Sequence, residues 1–334
     1  MSKALSSYLT GVVFGAEGTQ GVISASLTSL WDSADGDSLS LGETPFDAKP
    51  LRGARGQLNT SFRECQNLPG GDLGAAPISL GTEAPKFLQV LQAHLQNVSV
   101  TGTEAPYTYA GTPAVLPVEE GDWYTLSFVK DTAVASQAHV FLGCVVDELE
   151  LSWKAGEPIM YVPKGIKAMS SSTDGTAPTL PSPSAGGYLQ APSISCTWNG
   201  TEVYPASWKI NSKQNFADRQ SGNAKGRIGF VLGDYEGAVE MSVWRNEDSH
   251  DNWVNPFYTG STGTLVITAS APVANGTLTG GLAPTLVYTA YCRVDAPNDL
   301  NAKSGDLMDT VKLRTMADVS LPAFSVTQES ASLL

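Results

Sequence analysis

Apolar residues in this chain recur at every second position over short stretches, and turn-forming residues close each stretch. From Gly237 to Val243 the sequence reads GAVEMSV, with Val239, Met241 and Val243 on one side of an extended strand and Ala238, Glu240 and Ser242 on the other. The first half uses the same device, alternating Leu58, Thr60 and Phe62 with Gln57, Asn59 and Ser61. A period of two sends successive side chains to opposite faces, so each segment predicts a strand with one packed face and one wet face. Charged residues make up 16% of the chain while glycines number 33 and prolines 20, which leaves little material for long solvated helices. The expectation is a mainly β fold of short strands joined by turns.

The two halves repeat one order. Tyr124 to Val129 answers Thr264 to Ala269, His139 to Trp153 answers Thr285 to Val294, and Gly56 and Gly237 open corresponding alternating strands. Ahead of the paired strands the first half carries a helical stripe, Phe87, Leu91, Leu95 and Val98, with Thr82 as N-cap and Pro85 in the first turn. The matching slot in the second half contains Trp253, Val254, Phe257 and Tyr258 and predicts a shorter helix, although Pro256 interrupts the pattern. A length of 334 residues exceeds the usual size of a single core. These features predict an internal duplication. The first β domain with an N-terminal arm spans 1–169, a Pro/Ser/Gly-rich linker 170–187, the second β domain 188–320 and a C-terminal tail 321–334. Asn67 to Gly81, with Pro69, Gly70, Gly71 and Gly74, predicts a projecting loop inside the first domain.

Chemistry-bearing residues are sparse. Lys and Arg number 20 against 33 for Asp and Glu, a net charge of −13 that disfavours tight binding to a phosphate backbone. His94, His139 and His250 stand apart, so no pair has zinc-ligand spacing. Ser249, His250 and Asp251 are sequence neighbours, whereas a catalytic triad must converge in space. Leu68 to Gly74 is glycine-rich but lacks the Gly-Lys-Ser/Thr ending of a phosphate cradle. Glu148 with Glu150, and Glu236 with Glu240, share strand faces and offer paired carboxylates of the kind used in glycoside hydrolysis, but nothing in the sequence supports that over a solvated acidic face.

Cys65, Cys144, Cys196 and Cys292 lie far apart and read as small buried hydrophobes of a reducing compartment. Trp123, Trp153, Trp198 and Trp244 are interleaved with apolar residues, which favours core or subunit packing over a sugar-binding groove. No set of residues predicts a catalytic centre, a cofactor or a metal, and the chain reads as a building part and not an enzyme. The start Met1-Ser2-Lys3 lacks a secretory pattern, and no apolar run approaches the roughly 20 residues of a membrane span, so the expectation is cytoplasmic maturation without a membrane anchor.

Three segments resemble one family. HVFLGCVVDELELSWKAGEPIMYVPKG, from His139 to Gly165, is similar to the Gly-Cys-x-Val strand and following hairpin of siphophage major tail proteins, the tail tube proteins. SWKINSKQNF (Ser207 to Phe216) and GRIGFVLGDYEGAVEMSVWRNED (Gly226 to Asp248) resemble the long hairpin of the tube wall in that family. The likeness runs in order from about Asp47 to Met316 and is a pattern of β segments, not a rigid signature.

The resemblance implies two tandem β-sandwich or split-barrel domains, each with a flanking helix or helical turn, whose inner strands join those of neighbouring copies into a stacked, ring-built tube that conducts DNA into the host. Relatives with one such domain form hexamers, and a duplicated domain implies a homotrimer with pseudo-six-fold symmetry, with a homohexamer as the alternative. The implied lumen-facing residues are Gln57, Asn59, Ser61, Glu236, Glu240 and Ser242, a polar or negative lining over which DNA slides. Implied partners are further copies of the chain, tape measure protein and DNA transiently in the lumen, and tail terminator and distal tail proteins at the ends. The implied location is the virion tail, assembled in the host cytoplasm. The alternatives are another virion part, such as a capsid decoration or tail adaptor protein, and a carbohydrate-binding β module.

Overall fold

The computed structural model describes residues 11–24, 27, 29–31, 37–47, 62–78, 86–102, 104–115, 123–131, 138–175, 193–220, 226–244, 252–253, 255–271, 283–296, 301–303, 306–317 and 319–328. Among them the fold is mainly β, with 23 strands and two helices. The first half runs through β1 (Val12–Ala16), β2 (Ser29–Leu30), β3 (Glu43–Asp47), β4 (Phe62–Asn67), β5 (Gly70–Gly71) and β6 (Ala76–Pro77). It continues with α1 (Lys86–Leu95), β7 (Val98–Thr101), β8 (Tyr107–Gly111), β9 (Leu126–Asp131), β10 (Ala138–Lys154), β11 (Met160–Lys167) and β12 (Ser170–Gly175). The second half contains β13 (Ser193–Trp198), β14 (Thr201–Val203), β15 (Pro205–Lys213), β16 (Ala217–Gln220), β17 (Arg227–Val231) and β18 (Glu236–Trp244). Then follow α2 (Asn255–Thr259), β19 (Thr262–Ser270), β20 (Thr285–Ala296), β21 (Asn301–Lys303), β22 (Asp306–Thr315) and β23 (Ala323–Gln328).

The same ladder appears twice. In the first half β9 pairs with the leading part of β10 up to Cys144; β12 covers the opposite edge of that part, and β11 pairs with the trailing part from Val145 to Ser152. In the second half β19 pairs with β20 up to Arg293, β23 takes the opposite edge of its leading part, and β22 takes Cys292 to Ala296. The hinge of each long strand reads Cys-x-Val-Asp, at Cys144 to Asp147 and again at Cys292 to Asp295. In both copies the cysteine and valine are buried. A strand too long for one partner must bend where it passes from one sheet to the other. The φ of +64° at Gly143 and the register shift beside it supply that bend in β10.

The helical pattern is realised over Lys86–Leu95, shorter than the stripe because Val98 already begins β7. Gln96 ends the helix with φ of 60°, and its side-chain amide bonds Ala93 O and Tyr124 O while accepting from Tyr124 N–H. Thr82 and Pro85 lie outside the described residues. In the second half Pro256 sits in the first turn of α2, where its missing N–H costs nothing, so it starts this helix instead of breaking it.

The two halves are sewn together, contrary to the expectation of two units on a linker. β10 pairs with β15 from Glu148↔Lys213 to Lys154↔Ser207, stacking Trp153 on Trp208 at 6.3 Å, and β8 pairs with β23. One hydrophobic cluster runs from Val12 through α1 and both long strands to Val326. Three boundaries shift accordingly. Ser170–Gly175, read as linker, is β12, since a serine-rich segment still pairs its backbone on a sheet edge. Ala323–Gln328, read as tail, is β23, with Phe324 and Val326 buried. The part of Asn67 to Gly81 that is described does not project: β5 and β6 pair with β11, and Leu73, Ala76 and Ile78 enter the core. Its glycines permit the close approach, for a Cβ on Gly70 would stand 2.0 Å from the Ile166 carbonyl oxygen. Residues 176–187 and 329–334 lie outside the described residues.

Candidate functional site: a concave polar sheet face

Strands β11, β10, β15, β18, β22 and β20 lie side by side in that order. One face of this sheet packs Leu149, Leu151, Ile210, Val239, Met241 and Leu313 into the core. The opposite face is concave and encloses a groove of about 680 Å³. Antiparallel register turns the alternation within each strand into rows across strands. One row reads Lys164, Glu148, Lys213, Glu236, alternating in sign at every step. A second reads Glu150, Asn211, Ala238, Arg314, Arg293, and a third Ser152, Lys209, Glu240, Lys312.

Ion pairs bind the rows to one another. The Glu150 carboxylate accepts from Lys164 Nζ at 2.5 Å and from Lys209 Nζ at 2.9 Å, joining β11, β10 and β15. Arg314 approaches Asp295 at 3.0 Å. Burial pushes the Glu150 carboxyl up, but the hydrogen bonds from the two lysines outweigh it and hold the group below its ordinary value. The hydrogen bond to Glu150 raises Lys164 against the opposing effect of burial. Neither carboxylate pair considered for glycoside hydrolysis stands free for acid–base work: Glu148 lies 4.0 Å from Lys164, and Glu240 faces Lys209 and Lys312 across the ladders.

Behind the face, α1 sends His94 into the seam between the halves. The Val146 carbonyl, 3.0 Å from Nδ1, can only accept, so Nδ1 carries the proton. Nε2 then accepts from the Ser212 hydroxyl at 2.7 Å, and Ser212 in turn accepts from Tyr235 at 3.1 Å. This Ser–His contact has the reach of a nucleophile and its base, yet His94 is fully buried and Ser212 nearly so, leaving a substrate no approach. Burial lowers His94 from 6.5 to about 4, against the partial support of its backbone bond.

Of the residues expected to line a lumen, Glu236 and Glu240 are exposed on this face and Ser242 is half-buried beside them. Gln57, Asn59 and Ser61 lie outside the described residues, as do Ser249, His250 and Asp251. On this face cations are interleaved with the acids throughout. They were legible in the sequence, because Lys209, Asn211 and Lys213 alternate in KINSK, as do Lys312 and Arg314 in KLR. Trp123, Trp153 and Trp198 are buried, whereas Trp244 is 45% exposed at the end of β18. Cys144, Cys196 and Cys292 are buried free thiols, each pushed up by burial. Among the described residues no cluster of His, Cys, Asp or Glu is arranged to hold a metal ion, and no helix is long and apolar enough to cross a membrane. No protein-family model and no curated protein matches the chain.

Proposed function

We propose that the chain is a structural subunit of the tail tube of a tailed bacteriophage, joining edge to edge with copies of itself into stacked rings whose lumen conducts DNA. In this reading the chain has no catalytic role, it resides in the virion tail, and its concave face lines the lumen. The observation that carries the reading is a seam whose counterpart is unfilled among the described residues. β10 beyond its Cys-x-Val-Asp hinge is paired on both edges, by β11 and by β15. Beyond the same hinge, Val294 to Ala296 and β21 pair with β22 alone among the described residues. The strand that would fill that edge also has a counterpart. β3 and β15 each carry a proline beside a register shift, Pro45 in the middle of β3 opposite Glu64 and Pro205 at the start of β15 opposite Val243. β3 pairs only with β4 among the described residues.

An open sheet edge is a template for another strand, and closing a ring removes it. A heterologous contact of this kind, repeated by a closing rotation, makes a ring. Two equivalent ladders per chain make three copies sufficient for a pseudo-six-fold wall. Negative-stain electron microscopy of the purified protein is expected to show hollow rings and short stacks with three-fold or pseudo-six-fold symmetry. Isolated compact particles at high concentration would turn the reading toward a decoration or adaptor protein.

A further inference from the structure

The concave face gathers positive charge in a strongly acidic molecule. Among the described residues Lys154, Lys164, Lys209, Lys213, Lys312, Arg293 and Arg314 project from it, seven of the chain's 20 basic residues. Six carboxylates lie with them, Glu148, Glu150, Glu236, Glu240, Asp295 and, paired with Lys154 at the rim, Glu157, so the balance is +1 while the whole chain carries −13, leaving −14 for everything else. Cations ordered in rows on a concave wall suit a polyphosphate backbone. Carboxylates interleaved with them do the opposite, because a lysine already paired does not neutralise a phosphate and so displaces none of the cations condensed on the nucleic acid.

We propose that this face is a nucleic-acid backbone surface held in a weak-binding state by its own carboxylates, with Glu150 setting the affinity. Glu150 is the strongest candidate for that role. Its side chain is 12% exposed and holds two ammonium groups from different strands, whereas Glu240 and Glu236 are exposed and more easily displaced. The proposal rests on reading the face as a lumen wall: a conduit for DNA needs a surface that tolerates the phosphate backbone without trapping it.

The test is fluorescence-anisotropy titration of a short labelled DNA duplex with purified wild-type protein, Glu150→Gln, Glu240→Gln and a control, Glu202→Gln, on the exposed β14 away from the face. Glu150→Gln is expected to raise affinity about tenfold at low salt. It should also steepen the dependence of log affinity on log salt by about 2, for two freed lysines. Glu240→Gln, an exposed position that leaves the fold untouched, should raise affinity several-fold even if Glu150→Gln folds poorly. An equal gain from Glu202→Gln would show a response to net charge alone, and no gain from either face variant would overturn the proposal. Rings seen by microscopy without any gain would refute this inference while leaving the tube reading intact. A gain without rings would do the reverse.

Discussion

Replacing Glu17 by alanine is expected to cost about 4 kcal/mol of folding stability, because four donors, three of them buried, lose their acceptor at once. Glu17 follows β1 and is itself buried. One carboxylate oxygen accepts from Gly21 N–H at 2.8 Å and from the Thr125 hydroxyl at 2.6 Å. The other accepts from the Ser127 hydroxyl and from Gly143 N–H, both at 2.8 Å. The group thereby ties the turn after β1 to β9 and to the bend in β10. The two hydroxyls can rotate toward other acceptors, but the two backbone N–H groups cannot, and each unmet buried donor costs about 1–3 kcal/mol. Glu17→Gln should recover little of the loss, since the amide turns a donor toward donors. Urea denaturation followed by tryptophan fluorescence measures the effect. A loss below about 1 kcal/mol for Glu17→Ala would mean that the network is not formed.

The second large effect is a dependence on pH through His94. Its folded pKa lies near 4 and its unfolded value is 6.5, so below pH 6.5 the unfolded chain takes up a proton that the folded chain refuses. Stability from this group is complete above pH 6.5, falls as pH drops toward about 4, and then levels off. The interval corresponds to about 3 kcal/mol at 1.4 kcal/mol per pKa unit. His94→Gln keeps a donor and an acceptor on the side chain but does not titrate, so it should lower stability at neutral pH and flatten the slope between pH 6.5 and 4. Comparing the two proteins by urea denaturation at several pH values removes the shared contribution of the carboxylates. Equal slopes in wild type and variant would contradict a neutral buried imidazole at the seam.

What the sequence disclosed depended on the length scale of the interaction. Alternation in GAVEMSV placed Val239, Met241 and Val243 inside and Glu240 outside, because one face of β18 meets the core and the period of two leaves no freedom about which. The helix was legible for the same reason, its stripe being carried by Phe87, Leu91 and Leu95. Pairing between distant strands was not. Nothing local states that β10 of one half meets β15 of the other, or that Lys213 comes to stand between Glu148 and Glu236. The charge rows, and the interleaving of cations with acids, therefore emerged only with the register. The glycine pair Gly70-Gly71 misled for a related reason. Glycine marks both mobile loops and close backbone approach, and only the β11 partner decides between them. His94 was set aside as an isolated histidine, and it is isolated in sequence; Ser212, its partner, lies 118 residues away.

Joining of copies through the counterpart seam is tested most directly by disulfide trapping. Asp47 stands two residues after Pro45 as Ser207 stands two after Pro205. Asn301 pairs with Met308, which alternates with Thr310 and Lys312 along β22 as Lys154 alternates with Ser152 and Glu150 along β10. Lys154 and Ser207 are paired across the seam inside the chain. Asp47→Cys combined with Asn301→Cys should therefore place two thiols opposite each other between neighbouring copies. Cys144, Cys196 and Cys292 are buried and do not compete, and Cys65, which lies in β4 beside β3, is replaced by serine in every variant. Mild oxidation of the assembled protein, read on a non-reducing gel, should give a covalent ladder that ends at the trimer and that neither single variant produces. A doubly substituted protein that stays monomeric, or closes the bond within one chain, would contradict the account.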